Sequence, residues 1–237
     1  SDLSLQHMVP GAAHASVRLL STGRQVVWLD IEGSVHRGAL SAAASSVIAL
    51  AAQTALSKGL PFIAVMESSG ADIVEGIAAL HGWGLAAKAL ADCSGIVPTV
   101  CIVSGPAVSG PALLIGLADF VVMTKDSYAF VSGPAMVADF TGIAISNEEL
   151  GGPDAHARHS GAATAVVHDI AEAVSWVESL LTYLPDSVHK IPDVLHTQDP
   201  DTRRTPEAGA VIPPTSTGSY DVRNVITALS DDADFFE

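Results

Sequence analysis

A chain of 237 residues with 11 Lys+Arg against 26 Asp+Glu carries a formal charge of −15. That balance excludes a protein that tracks nucleic-acid phosphates with clustered basic residues, and it disfavours attraction to anionic membranes. The apolar share is 49%, much of it alanine, enough for one large α/β domain or one lobe of a bigger enzyme.

In chain order, Ser1 to His7 precede Met8 and read as a cloning remnant inside an N-terminal extension, residues 1–21. No basic-then-apolar leader opens the chain, and no apolar run approaches the roughly 20 residues of a membrane span, so a cytoplasmic protein is expected. The turn Thr22-Gly23-Arg24 introduces a strand over Gln25 to Ile31. Ser41 to Ser57 shows helical spacing and stops at Lys58-Gly59. Pro61 to Met66 is the next strand, and Ile73 to Ala91 a helix interrupted near Gly82-Trp83-Gly84. Ile96 to Val103 reads as a buried strand, followed by a turn of Gly105, Pro106, Ser109 and Gly110 and a helix over Pro111 to Leu117. Short strands are expected at Phe120 to Thr124, Tyr128 to Val131 and Ala162 to Val167, with a short helix from Asn147 to Leu150. Ile170 to Tyr183 forms an amphipathic helix ended by Pro185. Strands alternating with helices imply right-handed crossovers and a mostly parallel sheet. The main domain is therefore 22–185. Residues 186–237 are an extended polar, Pro-rich arm with a terminal helix over Tyr220 to Leu229.

The chemistry concentrates at strand ends. A turn at Ser109-Gly110 leaves the first N–H groups of the next helix unpaired, a geometry that suits an oxygen gaining negative charge. A similar passage occurs in Pro61 to Ile73, around Ser69-Gly70-Ala71, so a paired oxyanion site is expected. Gly-Pro turns are also common punctuation, so the residues alone leave a structural reading open. Cys93 and Cys101 fit no zinc spacing and read as reduced core thiols. His156 and His159, near Asp154, lack a third ligand and read as solvated surface residues; no metal is expected. Glu75, Glu148 and Glu149 are read as charges favouring helix N-termini over acid–base groups. Trp83 and Trp176 are read as core or interface anchors.

At Glu67-Ser-Ser-Gly-Ala-Asp-Ile-Val-Glu-Gly76 the sequence resembles the carboxyltransferase (β) subunits of biotin-dependent acyl-CoA carboxylases, of the propionyl-CoA and acetyl-CoA carboxylase type. The match continues in order through Gly82-Trp-Gly84, Ser94-Gly-Ile-Val-Pro98, Gly105-Pro-Ala-Val-Ser-Gly110, Phe130-Val-Ser-Gly-Pro134 and Glu148-Glu-Leu-Gly-Gly152. It goes on to His156, Ser160-Gly161 and Leu180 to Pro185, and ends in Tyr220 to Phe236. The resemblance implies a crotonase-like α/β fold of stacked ββα units and corresponds to the N-terminal lobe alone. It further implies carboxyl transfer to an acyl thioester through enolate and biotin anions. Coenzyme A would carry the acyl group, and a partner protein would carry the biotin. Expected partners are a C-terminal-lobe subunit and a biotin carboxyl carrier/biotin carboxylase subunit, in a trimeric or hexameric assembly. The implied donors are Ser109 and Gly110 on one turn, with Gly70 and Ala71 on the other. Ser69, Asp72, Arg37, Ala107, Pro111, Gly133 and Pro134 are implied to lie against substrate.

The chain departs from the family where the chemistry would occur. Ser69-Gly70 and Ser109-Gly110 stand where the family has Gly-Gly, and Asp72 replaces an arginine. A Cβ in those turns narrows the approach or forbids positive φ. The cations expected to meet CoA phosphates reduce to Arg37, with Lys58 or Lys88 nearby. Two alternatives therefore stand beside the split carboxyltransferase: a biotin-independent crotonase-like enzyme, and a lobe without chemistry that supports an assembly.

Overall fold

The computed structural model describes residues 4–5, 11–194 and 196–236. The chain divides into two units, Ser1–Pro192 and Asp193–Glu237. The rest of the stretch ahead of Met8 lies outside the described residues, apart from Ser4–Leu5.

Unit one is built on an eight-stranded sheet: β1 (Ser4–Leu5), β2 (Ala13–Leu19), β3 (Gln25–Ile31), β4 (Phe62–Ser68), β5 (Thr99–Val108), β6 (Phe120–Thr124), β7 (Tyr128–Phe130) and β8 (Ala165–Val167). The order is β1-β2-β3-β4-β5-β6-β8, with β7 paired to β5 off this path. Pairing is parallel from β3 onward, as the alternation of elements implied. Val27, Ile63, Ile102 and Val122 are fully buried, as parallel strands covered on both faces require. The extension contributes more than expected. β2 runs antiparallel to β3 with Ala13 opposite Ile31, burying Ala13 and Ala15 while His14 faces out. Small alanines at the buried positions hide the alternation that marks a strand.

Two long helices cover one face of this core. α1 (Ala42–Lys58) starts at Ser41, whose Oγ accepts the Ala44 N–H at 3.0 Å, and ends on Gly59 at φ 61°. α2 (Ile77–Cys93) runs unbroken through Gly82-Trp83-Gly84. The expected interruption is absent because Gly82 serves helix packing. A Cβ there would lie 3.0 Å from Ala42 Cα and Ser45 Cβ of α1. Cys93 and Cys101 are free and buried; desolvation pushes their thiols up to about 11 and about 12, with Asp92 and Asp119 adding to the rise at Cys93. Neither thiol is poised as a nucleophile.

β5 changes partner along its length. Val100–Val103 pairs with β6, and Pro106–Val108 with β7; between them β5 bulges against β4, where the register passes from Met66 opposite Val103 to Ser68 opposite Ala107. Gly105 and Pro106 therefore belong to the strand and not to the following turn. Proline, which offers no N–H, sits where the ladder changes hands. Beyond it come α3 (Gly110–Ile115), α4 (Pro134–Thr141), α5 (Asn147–Gly151), α6 (Pro153–Ala155), a π-helical turn over His156–Ser160 and α7 (Ile170–Tyr183). Ser146 and Glu149 form a reciprocal capping box on α5. The backbone and side chain of Ser146 hold the Glu149 carboxyl below the ordinary carboxylate range. Arg24 fastens the C-terminal end of α7: it donates to Leu181 O, to Leu184 O at 2.7 Å and to Asp186 at 2.5 Å.

Unit two contains α8 (Pro206–Val211) and α9 (Val222–Leu229). α8 falls in what reads as an irregular arm, and starts on a proline at the position where its missing N–H costs nothing. Arg203 donates to the carbonyls of Ala228, Leu229 and Ser230 at 3.0–3.3 Å and pairs with Asp199 at 3.1 Å, closing the end of α9.

Candidate active site

The two turns flagged in the sequence meet. β4 and β5 are parallel neighbours, so their C-terminal ends fall together and the chain leaves both at the same edge of the sheet. A Cβ built on Gly70 would lie 3.3 Å from Val108 O and 3.6 Å from the Ser109 Cβ. Gly70 has φ 114°, a conformation that favours glycine strongly. Ser109 has φ 63° and ψ −120° although it carries a side chain. The Cβ does not forbid the turn; it strains it, at a cost on the order of 1–3 kcal/mol. Ser69 keeps an ordinary backbone and is exposed, so no strain attaches to that departure.

The N–H groups divide into engaged and unengaged. The Ser109 N–H donates to Phe130 O at 2.9 Å, because the β5–β7 ladder extends one residue past Val108. The Gly70 N–H donates to Ser68 Oγ at 3.3 Å, and that hydroxyl in turn donates to Gly38 O at 2.6 Å. The expected pair of Ser109 and Gly110 is therefore split. The N–H groups of Gly110 and Ala71 have no protein acceptor among the described residues. Ala71 is exposed and Gly110 half-buried, so one open donor remains on each turn.

The remaining expected site residues separate by position. Arg37 is exposed, and its carbonyl accepts the Ser69 N–H at 2.9 Å, which docks the turn around His36–Gly38 onto the end of β4. The neighbouring Gly38 has φ 68°, and a Cβ there would strike Glu67 O at 1.9 Å. Asp72 accepts the Val74 N–H at 2.9 Å, which turns its carboxylate onto its own chain. Ala107 and Pro111 are buried, and Ala107 is a sheet residue paired with Ser68 and Ala129. Gly133 and Pro134 open α4 against the Phe130 ring. Lys58 ends α1, about 24 Å from the Ser41 end at the usual helical rise. Lys88 is paired with Asp92 at 2.6 Å. Glu75 accepts the Ala42 N–H at 2.6 Å, capping α1 instead of serving as an acid or base.

Three contributors were missed from sequence. The first is the Phe130 carbonyl that holds Ser109. The second is Trp83: a Cβ on Gly110 would come 2.7 Å from its indole nitrogen, which is buried without a hydrogen-bond partner among the described residues. The third is His156, expected to be solvated but half-buried, with Nε2 2.8 Å from Ala129 O. Backbone carbonyls leave no trace in a sequence, so the Phe130 and His156 contacts had no local signal, and nothing local pairs Trp83 with Gly110, 27 residues on.

Residues 21–237 match the model of the carboxyl transferase domain. This chain belongs to that family. Among its relatives, the mitochondrial propionyl-CoA carboxylase beta chain of Sus scrofa is 32% identical over 96% of this chain and 42% of its own length. The methylmalonyl-CoA carboxyltransferase 12S subunit of Propionibacterium freudenreichii subsp. shermanii is 31% identical over 97% of this chain and 44% of its own. The solved transcarboxylase 12S with methylmalonyl-coenzyme A and methylmalonic acid bound superposes with a TM-score of 0.90 at 30% identity, over 95% of this chain and 44% of that one. The fold is the crotonase-like α/β fold of carboxyltransferases. This carboxyl transferase domain thus spans less than half the length of the relatives it matches.

Proposed function

We propose that the chain is one lobe of a biotin-dependent acyl-CoA carboxyltransferase, in which the Gly110 and Ala71 N–H groups hold the thioester oxygen as it gains enolate charge. One observation carries the reading: two turns from adjacent parallel strands converge, and each keeps one unengaged, reachable N–H. Fixed donors of this kind bind a developing oxyanion better than the ground-state carbonyl, and removing one costs roughly 10²–10³ in rate. A carboxylated biotin bound on a partner protein would supply the carboxyl group. Glu75 and Glu149, two of the glutamates named in the sequence, are committed to helix ends. Arg37, exposed beside Ser69, is the residue we assign to an acyl-CoA phosphate.

A C-terminal-lobe subunit and a biotin carrier subunit complete this proposal. Ile73, Val74 and Ile77, which follow the first turn, are 85–92% exposed, and Leu113 of α3 is 47% exposed. Apolar side chains lying bare beside a site mark a surface that a partner covers. The test is reconstitution with a second-lobe protein, a biotinylated carrier and labelled bicarbonate. Label appearing on an acyl-CoA supports the assignment; no transfer to any acyl donor sinks it.

The strained Ser109 and the acidic Asp72 favour a second reading, a crotonase-like enzyme that acts without biotin. It predicts turnover of an acyl-CoA with the carrier left out. A lobe without chemistry would show neither activity, and no rise in melting temperature with acyl-CoA or biotin derivatives.

A further inference from the structure

We propose that His156 is a positioning residue for the Ser109–Gly110 turn, acting through β7 from the side opposite to β5. Ser109 occupies a sparsely populated conformation, and a residue persists there only when its surroundings fix it. What fixes it is the Phe130 carbonyl, which accepts its N–H at 2.9 Å. The position of that carbonyl depends on β7, a three-residue strand that among the described residues pairs with β5 alone. Successive carbonyls of a strand point to opposite sides, so Ala129 O faces away from β5 while Phe130 O faces toward it. His156 Nε2 meets Ala129 O at 2.8 Å. A carbonyl only accepts, so Nε2 carries the proton and donates it. In the neutral ring Nδ1 is then an acceptor, and the Ser160 hydroxyl, 2.7 Å away, donates to it. The Ser160 oxygen also accepts the Ala162 N–H at 3.2 Å, so the imidazole is fixed at both ends.

The backbone around this contact is shaped to permit it. Gly151 lies so close to β7 that a Cβ would fall 2.1 Å from Ala129 O. His156 opens the π-helical turn, and such turns recur at functional sites. The chain of contacts runs from Ser160 through His156 and β7 to Ser109, and so sets the direction of the Gly110 N–H.

The experiment compares His156→Ala, His156→Gln and His156→Asn in the full chain. Gln places an amide nitrogen where Nε2 stands; Asn places one where Nδ1 stands. Residue-resolved amide exchange reads the Ser109 N–H directly. His156→Ala is expected to speed its exchange roughly tenfold while β4 amides stay unchanged, with protection restored by Gln and not by Asn. The kinetic arm rests on the function proposed above. In the reconstituted enzyme kcat is expected to fall roughly tenfold at near-constant KM for His156→Ala, and to recover in His156→Gln. Unchanged Ser109 exchange in the Ala variant overturns the proposal, as does a rise spread evenly over the sheet, or rescue by Asn in place of Gln. If the wild-type chain shows no carboxyl transfer, the functional assignment fails while the exchange measurement still decides the role of His156.

Discussion

Ser109 holds φ 63° without the freedom of glycine, and nothing in its side chain compensates through a hydrogen bond within the described residues. Ser109→Gly should therefore stabilise the fold by about 1 kcal/mol, after allowing for the extra entropy that glycine adds to the unfolded chain. A guanidinium titration reads this as a higher midpoint at constant slope; a lower midpoint would show that the serine is unstrained. Gly110 tests the donor itself. Gly110→Pro removes the N–H at a helix position where proline is otherwise tolerated. Gly110→Ala keeps the N–H and meets the same Trp83 indole. The proline variant should be slower than the alanine variant by roughly 10²–10³ in carboxyl transfer, and equal rates would remove Gly110 from the donor set.

α7 shows how one buried cation anchors a whole helix. Arg24 touches two carbonyls at its C-terminal end and the Asp186 carboxylate, and both charged side chains are about four-fifths buried. Arg24→Ala should destabilise by about 2–4 kcal/mol, because it leaves a mostly buried acid and two carbonyls without their donor. Burial alone would raise the Asp186 carboxyl, but hydrogen bonds and charge from Lys190 and Arg24 outweigh it and hold the group below the ordinary range. The folded value lies below the unfolded one, so this contribution is complete above the unfolded pKa and lost as pH falls through the folded value. Asp186→Asn should be less stable at neutral pH and show a flatter loss of stability on acidification; an acid limb identical to wild type would contradict this. The same scale explains what could be read in advance. Ile170 to Tyr183 carries strong helical periodicity and was placed to the residue. β2 was hidden by alanines at its buried positions. Gly82 reads as a break because a glycine that lets two helices touch looks, in one dimension, like one that ends a helix. The meeting of the Gly70 and Ser109 turns was legible, since strand ends in a parallel sheet share an edge. Which N–H groups stay open was not, because it depends on Phe130 O, distant in the chain from Ser109, and on Ser68 Oγ, which is aimed by the distant Gly38 carbonyl.

At the scale of the molecule, the outstanding feature is unsatisfied apolar surface. α4 buries none of its residues, and its Phe140 is 92% exposed. Phe140→Asp should leave the stability of the isolated chain within about 0.5 kcal/mol. Association with a second-lobe protein should weaken by roughly tenfold or more if this ring anchors the interface. Equal affinities in a titration of the two proteins would place the interface elsewhere. The contact between Trp83 and Gly110 bears on such experiments. An indole whose N–H is desolvated and unbonded emits at a wavelength set by its immediate surroundings, and here those surroundings include one of the two open donors. With Trp28 and Trp176 replaced by phenylalanine, the fluorescence of the chain would report from beside the proposed donor pair, without any dye, as each ligand or subunit arrives.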